Sequence, residues 1–228
     1  MSKDTTRDPV NANLIEVRDR VGIARLGLMN NQVWEDDPRR LLFTMSRYKF
    51  VAKMLTGCKN VLEVGCGDAF CSRLVKQEVA ALTVSDFDPL FIADIEARQS
   101  ARWPMATRVL DVMSEPADGR FDAAYSLDVL EHIPVDKEKI FLSNMFAGLI
   151  PEGKAIIGMP SQESQPYASP ASKAGHINCK SGPDLVRLLE TFFHHVFLFS
   201  MNDEMIHTGY HKMAHYVLVL CCQRRDDN

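Results

Sequence analysis

The chain has 228 residues, 46% of them hydrophobic, and a formal net charge of −4 at pH 7. That length fits one domain, and the apolar content is enough for a substantial core and too high for a disordered chain. The acidic balance argues against a nucleic-acid partner, which would bring a basic stripe, and no apolar run approaches the ~20 residues of a membrane span. The six cysteines (Cys58, Cys66, Cys71, Cys179, Cys221 and Cys222) form no C-x-x-C pair, so neither a zinc site nor a disulfide framework is expected. The polar start lacks an apolar signal core, and the expectation is a reduced, cytoplasmic chain with no membrane segment, for which a homodimer is allowed.

Residues 1–11 are charged, small and aperiodic and are predicted to be disordered; residues 12–228 are read as one domain whose first part, 12–57, is a helical cap. Leu14, Ile15, Val17, Val21, Ile23 and Leu26 predict an amphipathic helix over 12–30. Asp37 followed by Pro38 is a helix start, and Leu41, Leu42, Met45, Tyr48, Ala52 and Leu55 continue at helical spacing until Gly57. From Asn60 the pattern alternates. Strands are predicted at 60–65, 81–86, 106–110, 121–127 and 154–159, with helices at 70–79, 89–99 and 135–148 between them and Asp136 as a candidate cap of the last. Such alternation implies an α/β fold, a doubly wound and mostly parallel sheet covered on both faces. Residues 160–180 form a polar loop long enough to be functional. Ser181-x-x-Asp184 opens a helix to about 191, and strands are predicted at 194–200 and 213–222.

Val61-Leu62-Glu63-Val64-Gly65-Cys66-Gly67 places an apolar strand before a glycine-rich turn into a helix. Gly65 and Gly67 allow close backbone approach to a ligand, and the following helix offers free N–H groups. Phe70 stands where a dinucleotide fingerprint needs its third glycine. Glu63 would repel a pyrophosphate but suits an ammonium group. Asp86, followed by Phe87 and Asp88, ends the second strand where a ribose diol is held. Asp111 and Val112 end the third, a position suited to an adenine amine. Acid at three successive strand ends points to a ligand with ribose, adenine and a positive amino acid.

These motifs resemble the class I, Rossmann-like S-adenosylmethionine-dependent methyltransferases. E-V-G-C-G-D-A matches the first motif with Ala69 in place of its last glycine, and T-V-S-D-F-D, L-D-V, F-D-A-A-Y-S-L-D-V-L-E-H-I and L-I-P-E-G-K-A-I-I-G match the next four in order over about residues 40–222. The resemblance implies a seven-stranded sheet with the last strand antiparallel, N-terminal helices over the cofactor, and S-adenosylmethionine as that cofactor. It assigns cofactor contacts to Arg47 (toward the methionine carboxylate), Glu63, Gly65, Cys66, Gly67, Asp86, Phe87, Asp111, Val112, Ser126 and Leu127.

Asp128-x-x-Glu131-His132 follows the fourth strand, whose carboxyl end borders the substrate pocket in such folds. Spacings of three and four put these side chains on one face of a helical turn. With His176 from the long loop, they make a candidate set for a divalent cation, Mg2+ or Mn2+. The pattern resembles the E-x-x-E-H of metal-assisted O-methyltransferases, with Asp128 a shorter arm; many relatives carry L-E-H there without metal. The candidate catalytic residues are His132, His176 and Asp128, with His207 and Tyr210 as possible acceptor contacts. The expected reaction is O-methylation of a small hydroxylated acceptor such as a sugar, a sugar nucleotide or a natural product. N- or carboxyl-methylation, and a non-catalytic cofactor-binding scaffold, stay open as alternatives.

Overall fold

Side-chain caps start four of the eight α-helices in the described residues, and a run of apolar strands carries them. The structure, a computed structural model, describes residues 4–225. The chain runs α1 (Ala12–Val21), α2 (Leu28–Asp36), α3 (Pro38–Met54), β1 (Asn60–Val64), α4 (Ser72–Lys76), β2 (Ala81–Asp86), α5 (Pro89–Ala97), β3 (Ala106–Val109), β4 (Phe121–Leu127), α6 (Glu138–Phe146), β5 (Leu149–Pro160), α7 (Pro170–Gly175), α8 (Gly182–Leu189), β6 (Phe193–Asn202), β7 (Met205–His207) and β8 (Tyr216–Arg224). Asp37 accepts from the Arg39 N–H at the start of α3, Asp88 from the Leu90 N–H at α5, and Ser181 from the Asp184 N–H at α8. In each case the side chain satisfies an amide the helix leaves unpaired.

The sheet has the order β3-β2-β1-β4-β5-β8-β6-β7. β1 to β5 pair in parallel, and β8 inserts antiparallel between β5 and β6. This is the doubly wound architecture expected, with the count corrected from seven strands to eight. The extra strand is β7, a short edge piece formed because the turn after Asn202 folds back onto β6. Successive residues of a central strand serve opposite faces. Leu62, Ala124 and Ile157 pack with α6 and α8, while Val61, Ala123, Tyr125 and Ile156 pack with α3, α4 and α5.

Several expectations at the ends of elements are corrected. The single helix predicted over 12–30 is two, because Gly22 and Gly27 both take positive φ, where no helix continues. The stretch expected to be disordered ends in a 3-10 turn, Pro9–Asn11, capped by Asp8; residues 1–3 lie outside the described residues. Asp136 sits in a 3-10 turn ahead of α6 and does not cap it. The loop 160–180 contains a 3-10 turn and α7, each capped by a serine, Ser161 and Ser169.

α2 is hydrogen-bonded to the glycine turn through the Asp68 side chain. The Asp68 carboxylate accepts from the Asn30 backbone N–H at 2.7 Å and from Asn30 Nδ2 at 2.6 Å. A carboxylate there meets the positive end of the helix and fills the cap that Gly27 cannot supply. Arg98 holds the Asp68 carbonyl from the other side at 2.6 Å. Asp68→Ala is expected to raise amide hydrogen exchange across residues 28–36 roughly tenfold or more, with the sheet unaffected; unchanged exchange in α2 would show that Asp68 does not hold it.

Candidate active site

The glycine turn follows β1 at the carboxyl edge of the sheet. Gly65 and Gly67 have φ of 74° and 52°, and a Cβ would strike Val129 Cγ2 at the first and Met29 Sδ at the second. The positive φ disfavours any other residue at both positions, and at Gly65 the Val129 methyl leaves no room for one. Ala69, in place of the motif's last glycine, also has positive φ, 50°, a strain of roughly 1 kcal/mol that the surrounding core sustains. Asp86 at the end of β2 accepts from the Gly67 N–H at 2.9 Å and the Asp88 N–H at 3.0 Å, which fixes its carboxylate against the turn. Phe87 beside it is 71% exposed, a free ring at the edge of the cleft. After β3, Asp111 closes its own turn by accepting from the Met113 N–H and the Ser114 hydroxyl, and Val112 is buried behind it. Ser126 and Leu127, at the end of β4, are buried, and the Ser126 hydroxyl has no partner.

Glu63 is buried beneath this turn between two phenols. Tyr48 of α3 donates to Oε1 at 2.6 Å and Tyr125 of β4 donates to Oε2 at 2.7 Å. Burial outweighs these bonds and pushes the carboxyl up to about 7. Cys66 is buried above it, a thiol that burial holds in its neutral form.

The second half of the site gathers at the end of β4. Asp128 takes positive φ, 58°, which turns its carboxylate back toward α3. Arg47 Nη1 donates to both its oxygens, at 2.9 and 2.8 Å, and the guanidinium lies 3.8 Å over the Tyr216 ring. Asp128 is thus held by Arg47, while Glu131, His132 and His176 converge, each offering a ligand atom within 4.8 Å of the others. The Asn178 N–H donates to the Glu131 carbonyl at 2.9 Å, which pins the loop of His176 against the turn Leu130–His132. Glu131 is buried with Oε2 unpartnered, and burial, then the charge of Asp128, pushes its carboxyl up to about 8.

Hydrogen bonding fixes the imidazoles. His132 Nδ1 lies 2.9 Å from the Gly175 carbonyl, which can only accept, so Nδ1 carries a proton. His176 Nδ1 lies 3.1 Å from Gln165 Oε1 and takes the same tautomer. Burial, then the nearby His132, lowers the His176 pKa, so it is neutral at pH 7. The two rings stand edge to face with centroids 5.2 Å apart.

Other histidines do different work. His207, expected near the acceptor, uses both nitrogens within its own hairpin, on Asn202 Oδ1 and the Gly209 N–H. His194 and His195 lie exposed on β6. Tyr125, Asp68 and Tyr216 were not singled out in the sequence. Tyr125 and Tyr216 each place a phenol among the apolar residues of a central strand, a weak signal of a buried polar contact. A depression of about 310 Å3 between Thr56, Lys59, Asp122 and Lys154 lies at the opposite, amino end of the strands, away from all these groups.

The raised Glu63 carboxyl has a consequence for stability. The folded chain holds this proton between pH 4.5 and about 7 while the unfolded chain releases it. Its contribution is therefore complete below 4.5 and is lost as pH rises through 7, by at most about 3 kcal/mol. Urea unfolding of the cofactor-free protein should show stability falling from pH 5 to pH 8, with a flatter profile in Glu63→Gln; identical slopes would refute the assignment.

A model of the methyltransferase domain matches residues 33–192. No curated protein is similar enough to match the sequence. Among solved structures, the N-methyltransferase NodS from Bradyrhizobium japonicum WM9 in complex with S-adenosyl-L-homocysteine is similar at TM-score 0.60 and 17% identity, over 93% of this chain and 98% of that one. A DhpI complex with S-adenosylhomocysteine is similar at TM-score 0.62 and 14% identity, over 96% and 98%. The methyltransferase domain of bacterial CtHen1-C is similar at TM-score 0.65 and 15% identity, over 79% and 98%. At these identities the likeness is one of fold, while the family match covers most of the chain. The chain belongs to the methyltransferase-domain family and is an S-adenosylmethionine-dependent methyltransferase of Rossmann-like fold.

Proposed function

We propose that the chain transfers a methyl group to a hydroxyl of a small acceptor such as a sugar, a sugar nucleotide or a natural product. The observation that carries this reading is the pair of imidazoles, His132 and His176, whose Nε2 atoms are left free by the bonds at Nδ1, with burial favouring the neutral form of His176. An alcohol is a poor nucleophile until its proton is removed, and a neutral imidazole is the side chain suited to remove it near pH 7.

S-adenosylmethionine, when bound, supplies a methyl already activated on its sulfonium. The chain's tasks are to place the acceptor in line, exclude water and accept a proton. Gly65, Cys66 and Gly67 make room for the ligand's close approach, Asp86 is placed for the ribose, and Phe87, Asp111 and Val112 border the adenine position. Ser126, Leu127 and the Glu63–Tyr48–Tyr125 cluster lie under the amino-acid end, with Arg47 available to its carboxylate. His176 is assigned as the base that takes the hydroxyl proton at Nε2. His132 stands edge-on to it, and Asp128, held by Arg47, keeps a negative charge nearby that favours the protonated ring.

The same donor set fits a divalent cation, since two imidazole nitrogens and one carboxylate oxygen lie within 4.8 Å of one another and Glu131 Oε2 has no other partner. Glu131, His132 and His176 would hold it, and it would lower the pKa of an acceptor hydroxyl. Asp128 is not part of that set, its carboxylate being turned to Arg47 and outside the three converging ligand atoms.

The test uses methyl-labelled S-adenosylmethionine with a panel of polyols, sugar nucleotides and phenols. His176→Ala is expected to retain affinity for S-adenosylhomocysteine within about threefold and to lose turnover by about 100-fold or more. Full turnover in the variant, or label found on nitrogen, would overturn the reading. EDTA followed by Mn2+ separates the two modes of activation: loss and rescue favours the cation, and indifference to both leaves His176 acting as the base.

A further inference from the structure

A third imidazole, at the carboxyl edge of the parallel strands, has the opposite tautomer. His215 immediately precedes β8, and its Nδ1 accepts the Asp203 N–H from the β6–β7 turn at 3.3 Å. Nδ1 therefore holds the lone pair and Nε2 the proton. That Nε2 is buried with no partner. Burial, then the charge of Arg47, lowers the ring's pKa, so it is a neutral donor. Facing it is one side of α3. The Phe43 ring lies 5.9 Å from the His215 ring, and Arg47 is one helical turn further on. Arg47 uses Nη1 on Asp128, but its Nε is also buried without a partner. The Tyr216 ring lies under the same guanidinium. Buried donors are rarely left unpaired, and two orphaned N–H groups, one on a guanidinium whose charge acts on the other's ring, call for a ligand.

An N–H on a guanidinium and an N–H on an imidazole can only donate. The group they suit has several acceptor lone pairs and negative charge, as in a carboxylate or phosphate. Two sources could bring it, the methionine end of the cofactor or the acceptor. The sheet order separates them. The glycine turn follows β1, whereas His215 precedes β8, three strands away across β4 and β5, or about 14 Å at ordinary strand spacing. The cofactor lies over the first of these positions and the acceptor over the second.

We propose that His215, assisted by the Nε of Arg47, holds an anionic group of the acceptor, with the Arg47 guanidinium standing between that group and the cofactor's carboxylate, so that the methylated molecule is an acidic hydroxy compound. This rests on the O-methyltransferase reading and names its substrate class. His215 acts as a specificity residue, with no proton to exchange in the transfer step.

The test loads the protein with S-adenosylhomocysteine and follows the His215 side-chain resonances by NMR while glycolate, inorganic phosphate or neutral ethylene glycol is added. Glycolate or phosphate should shift them saturably at millimolar concentration, with ethylene glycol at least about tenfold weaker. His215→Gln, which keeps an N–H donor, should hold anion affinity within a few-fold, and His215→Phe should lose about tenfold or more, with S-adenosylhomocysteine affinity unchanged in both. Equal binding of the neutral diol, or no response of His215 in the wild-type protein, overturns the proposal. So does a tenfold loss of S-adenosylhomocysteine affinity in His215→Phe, which would give this anion position to the cofactor. These outcomes differ from failure of the O-methyl reading, which appears only in the fate of the labelled methyl group.

Discussion

The site depends on one ion pair. Arg47 and Asp128 are 81 residues apart, and two hydrogen bonds join them across the gap between α3 and the end of β4. A paired charge at partial burial is worth keeping only where both partners are fully used, and here each serves a second purpose. Asp128 adopts a positive φ that turns its carboxylate away from the turn behind it, leaving Glu131 and His132 to meet His176. Arg47 covers Tyr216 and keeps a free Nε. Removing either partner would leave a charge without its mate and free the two halves of the cleft to move apart.

The division of labour across the sheet follows from this. Over β1 to β3 the chain offers glycine backbone and strand-end acids, which suit a cationic adenosyl ligand. Over β4, β5 and β8 it offers imidazoles and orphan donors, which suit an acceptor to be held and deprotonated. The buried Glu63 lies at the boundary, and its two phenols come from α3 and β4, the same two elements that Arg47 and Asp128 join. The helical cap is therefore fastened to the sheet at two points, one in the core and one in the cleft, with Asp68 a third fastening that holds α2 over the glycine turn.

Much of this was legible in the sequence because it depends on neighbours. Asp37-Pro38 and Ser181-x-x-Asp184 act within three residues, and the strand–glycine–helix passage is continuous, so local pattern located them. The strand-end acids were legible because each strand ends where its apolar run ends. The contacts that define the chemistry were not, since they join distant segments. Nothing near Asp128 says that Arg47 will take both its oxygens. Nothing near His215 says that Asp203 will set its tautomer, and His207 reads like His176 until its two partners are seen. The eighth strand escaped notice because three residues, Met205–His207, carry too little periodicity to distinguish a strand from a turn.

The central claim, that cofactor and acceptor occupy separate halves of one carboxyl-edge cleft, is tested most directly by a crystal structure with S-adenosylhomocysteine. The account predicts the ribose on Asp86, the amino-acid end between Glu63 and Arg47, and the sulfur directed at the space bounded by Glu131, His132 and His176. A ligand whose sulfur faces away from that space, or crystals that remain ligand-free at saturating concentration, would contradict it.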